Sequence, residues 1–143
     1  LAETFESDDA INWVFTLRAG VEFHNGKTLT PEDVIASINH HRGVDSTSAA
    51  SGLVAQIADM RIDGNAVVFE LTAANADFPY VMSDYHLLIL PSENGVIDAT
   101  AGIGTGGYVI QNYEPGVRVE ATRFANYFKA VSYTHLRAHE PVL

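Results

Sequence analysis

The chain has 143 residues, 8 basic against 18 acidic side chains, a formal charge of −10, 47% apolar residues and no cysteine. That size and apolar content suit one packed domain rather than a disordered chain, while the negative charge argues against non-specific binding to nucleic acid or to an anionic membrane surface. Lack of cysteine excludes a disulfide framework, a thiol nucleophile and a thiolate metal site, and no apolar run reaches the roughly 18 residues that span a bilayer.

From the N-terminus, Leu1-Ala2-Glu3-Thr4 opens without a methionine and without a visible signal peptide, so the true start is expected upstream. Residues 12–17 alternate, with Trp13, Phe15 and Leu17 on one side, which predicts a strand. Arg18-Ala19-Gly20 reads as a turn, Val21 and Phe23 resume the alternation, and Asn25-Gly26 ends it. Thr30 suits an N-cap and Pro31 the first helical position, while Glu32 and Asp33 put negative charge in the first turn. Val34, Ile35 and Ile38 add an apolar stripe, so a helix is predicted over residues 31–41, closed by Gly43.

Residues 45–52 read as a polar loop and residues 53–58 as a short helix. Residues 60–62 and 67–71 flank Asp63-Gly64-Asn65, a hairpin signal that turns Val67, Phe69 and Leu71 to the core. Phe78-Pro79-Tyr80 begins a further element. Residues 87–90 are wholly apolar and predict a short buried strand ended by Pro91. Residues 92–107 read as a glycine-rich loop, and residues 108–113 and 117–123 as a second hairpin around Glu114-Pro115-Gly116.

Several residues invite chemistry. Gly102, Gly104 and Gly107 satisfy G-x-G-x-x-G, but a dinucleotide site needs a helix next, and the following residues are strand-like. A tight loop is the better reading. His40 and His41 are adjacent on a helix, so their side chains diverge by about 100° and a shared metal is not expected. His135 and His139 have the i, i+4 spacing of a helical metal site, without the Glu of a metalloprotease. His24 reads as structural. His86 stays a candidate, because it precedes the predicted buried strand. Ser83, Asp84 and His86 lie too close together to argue a triad, no G-x-S-x-G elbow is present, and the paired Glu32 and Asp33 are explained by the helix start. No enzyme is indicated. Trp13, Tyr80, Tyr85, Tyr108, Tyr113 and Tyr127 are read first as packing.

Residues 13–34, WVFTLRAGVEFHNGKTLTPEDV, resemble the block W-x-F-x-L-R-x-G-V-x-F-H-x-G-x-x-L-T-x-E-D-V of the family 5 extracellular solute-binding proteins of peptide and nickel ABC importers. Four further stretches are similar to that family in the same order. They are the lead-in at residues 1–6, the hairpin at residues 57–71, Gly104-Thr105-Gly106-Gly107-Tyr108, and residues 123–128. Gly107 stands where the family has proline, and Phe124 and Phe128 depart from its closing R-N-x-x-Y-W.

The resemblance implies an α/β fold, mixed α+β in this stretch, forming part of one lobe of a two-lobe periplasmic-binding-protein-like fold. Residues 1–130 would be that lobe fragment, without the leading strand and the opposite lobe. Residues 131–143 resemble a translated sequencing adapter and are expected to be non-native. The implied role is the extracytoplasmic solute-binding component of an ABC transporter, capturing a peptide or similar small solute. Its partners would be that ligand and membrane permease subunits, with no nucleic acid and no cofactor or metal. It would act as a monomer in the periplasm or on the outer face of the cytoplasmic membrane. From position only, Tyr85, His86, Thr105 and Ser48 are the candidate ligand contacts. The alternative is a small standalone structural or interaction domain.

Overall fold

In the computed structural model, which describes residues 1–43 and 46–129, the alternation around Trp13 becomes strand β2, Asn12–Leu17. Trp13, Phe15 and Leu17 are buried and the residues between them half-buried. β1, Ala2–Glu6, pairs antiparallel on one side of β2. On the other side lies β4, Ala66–Leu71, which pairs in turn with β3, Ile57–Asp63. The sheet order is therefore β1-β2-β4-β3, antiparallel throughout. Register sets Trp13 opposite Phe69 and Phe15 opposite Val67, so the large side chains gather on one face. Phe15 meets Phe69 edge-on at 5.3 Å and Phe78 at 5.9 Å.

Helix α1, Pro31–His40, joins that core through Val34 and Ile38. The sequence starts it as expected: Thr30 caps, Pro31 follows, and Asp33 closes a capping box. Asp33 does more than charge the first turn. It is fully buried, and its carboxylate accepts bonds from the Ser92 N–H at 2.7 Å and the Ser92 hydroxyl at 2.8 Å, as well as from Lys27 Nζ. Beyond it lie α2, Ser51–Val54, and α3, Phe78–Val81. Next come the short strands β5, Ser92–Glu93, and β6, Val96–Ile97. The last pair is β7, Tyr108–Glu114, and β8, Arg118–Arg123.

Three expectations need correction. The helix predicted over residues 53–58 sits earlier, as α2, because pairing of Ile57 with Leu71 draws residues from 57 onward into β3. Residues 87–90 form no strand. The Leu90 backbone bonds to a side chain instead: Ser37 Oγ accepts from the Leu90 N–H at 2.9 Å and donates to its carbonyl at 3.3 Å. Leu88 is 64% exposed. The loop predicted over residues 92–107 holds the β5–β6 hairpin, whose turn residues Asn94 and Gly95 have φ of 52° and 78°. Positive φ at both positions is the two-residue hairpin turn that Asn-Gly favours. One strand has no sequence signal: residues 2–6 form β1 at the sheet edge. They show no clean alternation because four of the five are exposed.

The tail at residues 131–143, with His135 and His139, lies outside the described residues. Among the described residues no helix is long and apolar enough to cross a membrane.

Candidate functional site

The edge of the aromatic face is left open. Phe5 on β1 stacks on Phe15 at 5.9 Å, yet stays 57% exposed. The segment after β4 runs past this edge and leaves a groove of about 940 Å³. Trp13, Phe15 and Phe69 line it from the sheet, Tyr80 and Tyr85 from residues 76–90, and Thr105 from the glycine-rich loop. Tyr80 and Tyr85 are 78% and 77% exposed. An apolar trough with aromatic rings and a few polar groups suits a small organic ligand.

The glycine-rich loop is held in place by His24. The His24 N–H donates to the Gly104 carbonyl at 2.9 Å, and the Gly104 N–H donates back to His24 Nδ1 at 3.3 Å. Nδ1 is therefore the acceptor, so Nε2 carries the proton and donates to the Gly106 carbonyl at 2.9 Å. The ring also meets Phe124 edge-on at 5.1 Å. These contacts give His24 the structural role expected for it. The segment that follows is strand β7 rather than a helix, so the loop offers no helix N-terminus to a pyrophosphate.

The other side of the groove is ordered by a turn. Asp84 Oδ1 accepts from the His86 N–H at 2.9 Å and lies 2.8 Å from His86 Nδ1. Those bonds, the backbone one first, hold the Asp84 carboxyl below its ordinary value. The Tyr85 ring lies 3.9 Å from the His86 ring. Ser83 Oγ donates to the Tyr80 carbonyl at 2.6 Å, so the serine is engaged with backbone rather than with the histidine.

The four expected contacts separate. Tyr85 and Thr105 line the same groove. His86 lines a second pocket of about 380 Å³, together with His24, His40 and His41. Ser48 lines neither of these pockets, and its hydroxyl lies 2.6 Å from Nδ1 of the buried His41. Burial first, then the neighbouring His40 and His86, push the His41 pKa down. The rings of His40 and His41 do touch, edge-on at 5.2 Å, although no group of three His, Asp or Glu among the described residues is placed to hold a metal ion. Sequence reasoning missed Phe5 and Leu88 as groove residues. The exposure of a phenylalanine on an edge strand depends on what packs beside it, and no local pattern records that.

Comparison with known proteins adds a second line. Residues 1–138 match the bacterial extracellular solute-binding proteins, family 5 Middle. The HTH-type transcriptional regulator SgrR of Yersinia enterocolitica is 30% identical over 132 residues, which cover 90% of this chain and 22% of the regulator. The nickel ABC transporter structure from Bacillus halodurans superposes with a TM-score of 0.75 at 25% identity, over 90% of this chain and 26% of that one. The oligopeptide-binding protein AppA of Bacillus subtilis, solved with a nonapeptide, gives a TM-score of 0.77 at 21% identity, over 90% and 28%. The likeness to AppA speaks for the fold alone. The chain spans less than a third of the length of each of these proteins. The mixed α/β architecture is thus that of part of a periplasmic-binding-protein fold.

Proposed function

The chain belongs to the bacterial extracellular solute-binding proteins of family 5, and from that premise we propose that it is part of the extracytoplasmic component of an ABC importer, capturing a peptide or similar small solute and delivering it to membrane permease subunits. The observation that carries this reading is the family match over residues 1–138. It fits with the open aromatic groove, which is concave, largely apolar and edged by a polar loop. Tyr85 and Thr105 are the solute contacts in this reading, because both line that groove. His86 acts one step back, against the Tyr85 ring, and Ser48 stands apart from the groove, engaged with His41. The role is binding rather than catalysis, the working form is a monomer on the outer side of the cytoplasmic membrane, and capture occurs by lobe closure, driven by the solute's higher affinity for the closed state.

The test is to recover the whole reading frame from the source DNA, express it, and titrate it with a peptide library by calorimetry. The whole polypeptide should bind a subset of peptides, a Tyr85→Ala change should weaken that binding, and residues 1–143 alone should give no measurable heat. Tight, specific peptide binding by the 143-residue chain alone would sink capture by closure of two lobes.

The 30% identity to a regulator favours a second reading, in which the same fold senses a solute inside a transcription factor. A helix-turn-helix segment in the same reading frame would select that reading. An export signal at its start would select transport.

A further inference from the structure

The hairpin β7–β8 has two unlike faces. Its register sets Tyr108 opposite Arg123, Ile110 opposite Ala121 and Tyr113 opposite Val119, with a bulge between Ile110 and Asn112 that keeps the apolar residues together. Tyr113 is 64% exposed, Val119 58%, and Val117 at the turn 75%. The opposite face is finished with its own polar contacts. Arg118 pairs with Glu114 and with Glu120, each at 3.1 Å, and Asn112 donates to Glu114 at 2.8 Å. Neither strand contributes a residue to the buried core.

The base of the hairpin is nonetheless held to the body. The Phe124 N–H donates to the Gly107 carbonyl at 2.9 Å, His24 packs on Phe124, and Asn126 Nδ2 donates to Glu22 Oε2 at 2.7 Å. Arg18 lies over the Phe128 ring at 5.8 Å. Tyr108 and Ile110, near the base, line the smaller pocket. Beyond them the apolar side stands bare. A two-stranded sheet alone is marginal in water, and an apolar side this exposed marks a contact surface.

We propose that the apolar face of β7–β8 is an internal docking surface, covered by a sheet or helix that the same polypeptide supplies from outside residues 1–143. This rests on reading the chain as part of a longer solute-binding protein. The match lengths favour that occupant, because the chain covers only 22% of the regulator and 26% of the transporter protein, so other segments build most of either fold. The charge of −10 opposes covering by a second copy, since two such chains repel on approach.

The absence of cysteine makes the test direct. Val119→Cys places one thiol on the apolar face and Glu120→Cys one on the polar face. Each would be made in the 143-residue chain and in the whole polypeptide, with any other cysteine of the latter changed to serine, and its rate with a soluble disulfide reagent followed by absorbance. The two thiols should react at similar rates in the 143-residue chain. In the whole polypeptide the Val119→Cys thiol should react at least about tenfold more slowly, with Glu120→Cys unchanged. Val117→Cys is the second reporter should Val119→Cys misfold. Equal rates on both faces of the whole polypeptide overturn the proposal, as does a genomic reading frame that ends at Leu143. Protection that appears in the 143-residue chain and grows with its concentration also overturns it, and assigns the face to a second copy. Peptide titration of the same whole polypeptide keeps the two readings apart: a protected Val119→Cys without peptide binding leaves the docking surface standing and sinks the transport reading.

Discussion

Asp33 shows how one residue can carry long-range structure. Its carboxylate accepts from Lys27, from the Thr30 N–H at 2.9 Å and hydroxyl at 3.2 Å, and from both donors of Ser92. One side chain thus caps α1 and pins the start of β5. Burial alone would raise its pKa, but the bonds from Lys27, Ser92 and Thr30 more than offset that, and the net shift is downward from 3.8. A carboxylate depressed in the folded state contributes stability that is present above its unfolded pKa and is lost as pH falls through the folded one. Asp33→Ala leaves the Lys27 ammonium and the Ser92 donors unmet, and should cost about 3 kcal/mol by urea unfolding at pH 7. Asp33→Asn should also flatten the fall in stability below pH 3.8. An unchanged acid limb in that variant would remove Asp33 as its cause. His41 gives a second pH effect of the same sign. Its pKa lies below 6.5 when folded, so the unfolded chain binds the extra proton and stability falls as pH drops below 6.5. His41→Gln should reduce that slope in melting temperature between pH 6.5 and 5. An equal slope in the variant would place the effect on another group.

At the scale of elements, the positions that could be read from sequence are those where one residue and its near neighbours decide. Trp13, Phe15 and Leu17 alternate because β2 is half-buried, and Thr30-Pro31 starts α1 because capping is local. The positions that could not be read are decided by distant partners. Ile57 becomes strand because Leu71 is its neighbour, and Leu90 stays outside any sheet because Ser37 Oγ takes both of its backbone groups. Tyr85 and Thr105 lie 20 residues apart in sequence and line one groove. They meet because His24, about 80 residues before the loop by sequence separation, pulls Gly104 and Gly106 inward. Ser48 lies in a polar loop by sequence, and its engagement with His41 is a contact that no local pattern records. His24→Ala should therefore act on the loop more than on the core. The Gly104 amide, which donates to His24 Nδ1, should exchange faster with solvent, while the amides of Phe15 and Phe69 keep their protection. Loss of protection in both places would mean that His24 supports the core directly.

For the molecule as a whole, stability is distributed unevenly, and that distribution follows from where the buried residues sit. The core joins β2, β4, α1 and Phe78, with Phe23, Phe69 and Phe78 almost wholly enclosed. β7 and β8 pair with each other and contribute no residue to that core. A unit with few buried apolar contacts opens at little free-energy cost, whereas core strands exchange only by global unfolding. In the 143-residue chain, the amides of β7 and β8 should exchange through local opening, with rates that respond weakly to added urea. Those of β2 and β4 should exchange at the global limit and respond steeply, because their exposure requires the whole core to open. If both sets share one urea dependence, the hairpin folds together with the core and its exposed apolar side is supported in some other way. In a whole polypeptide that covers Val119 and Tyr113, the hairpin amides should move to the steep class, because opening them would then uncover a buried surface.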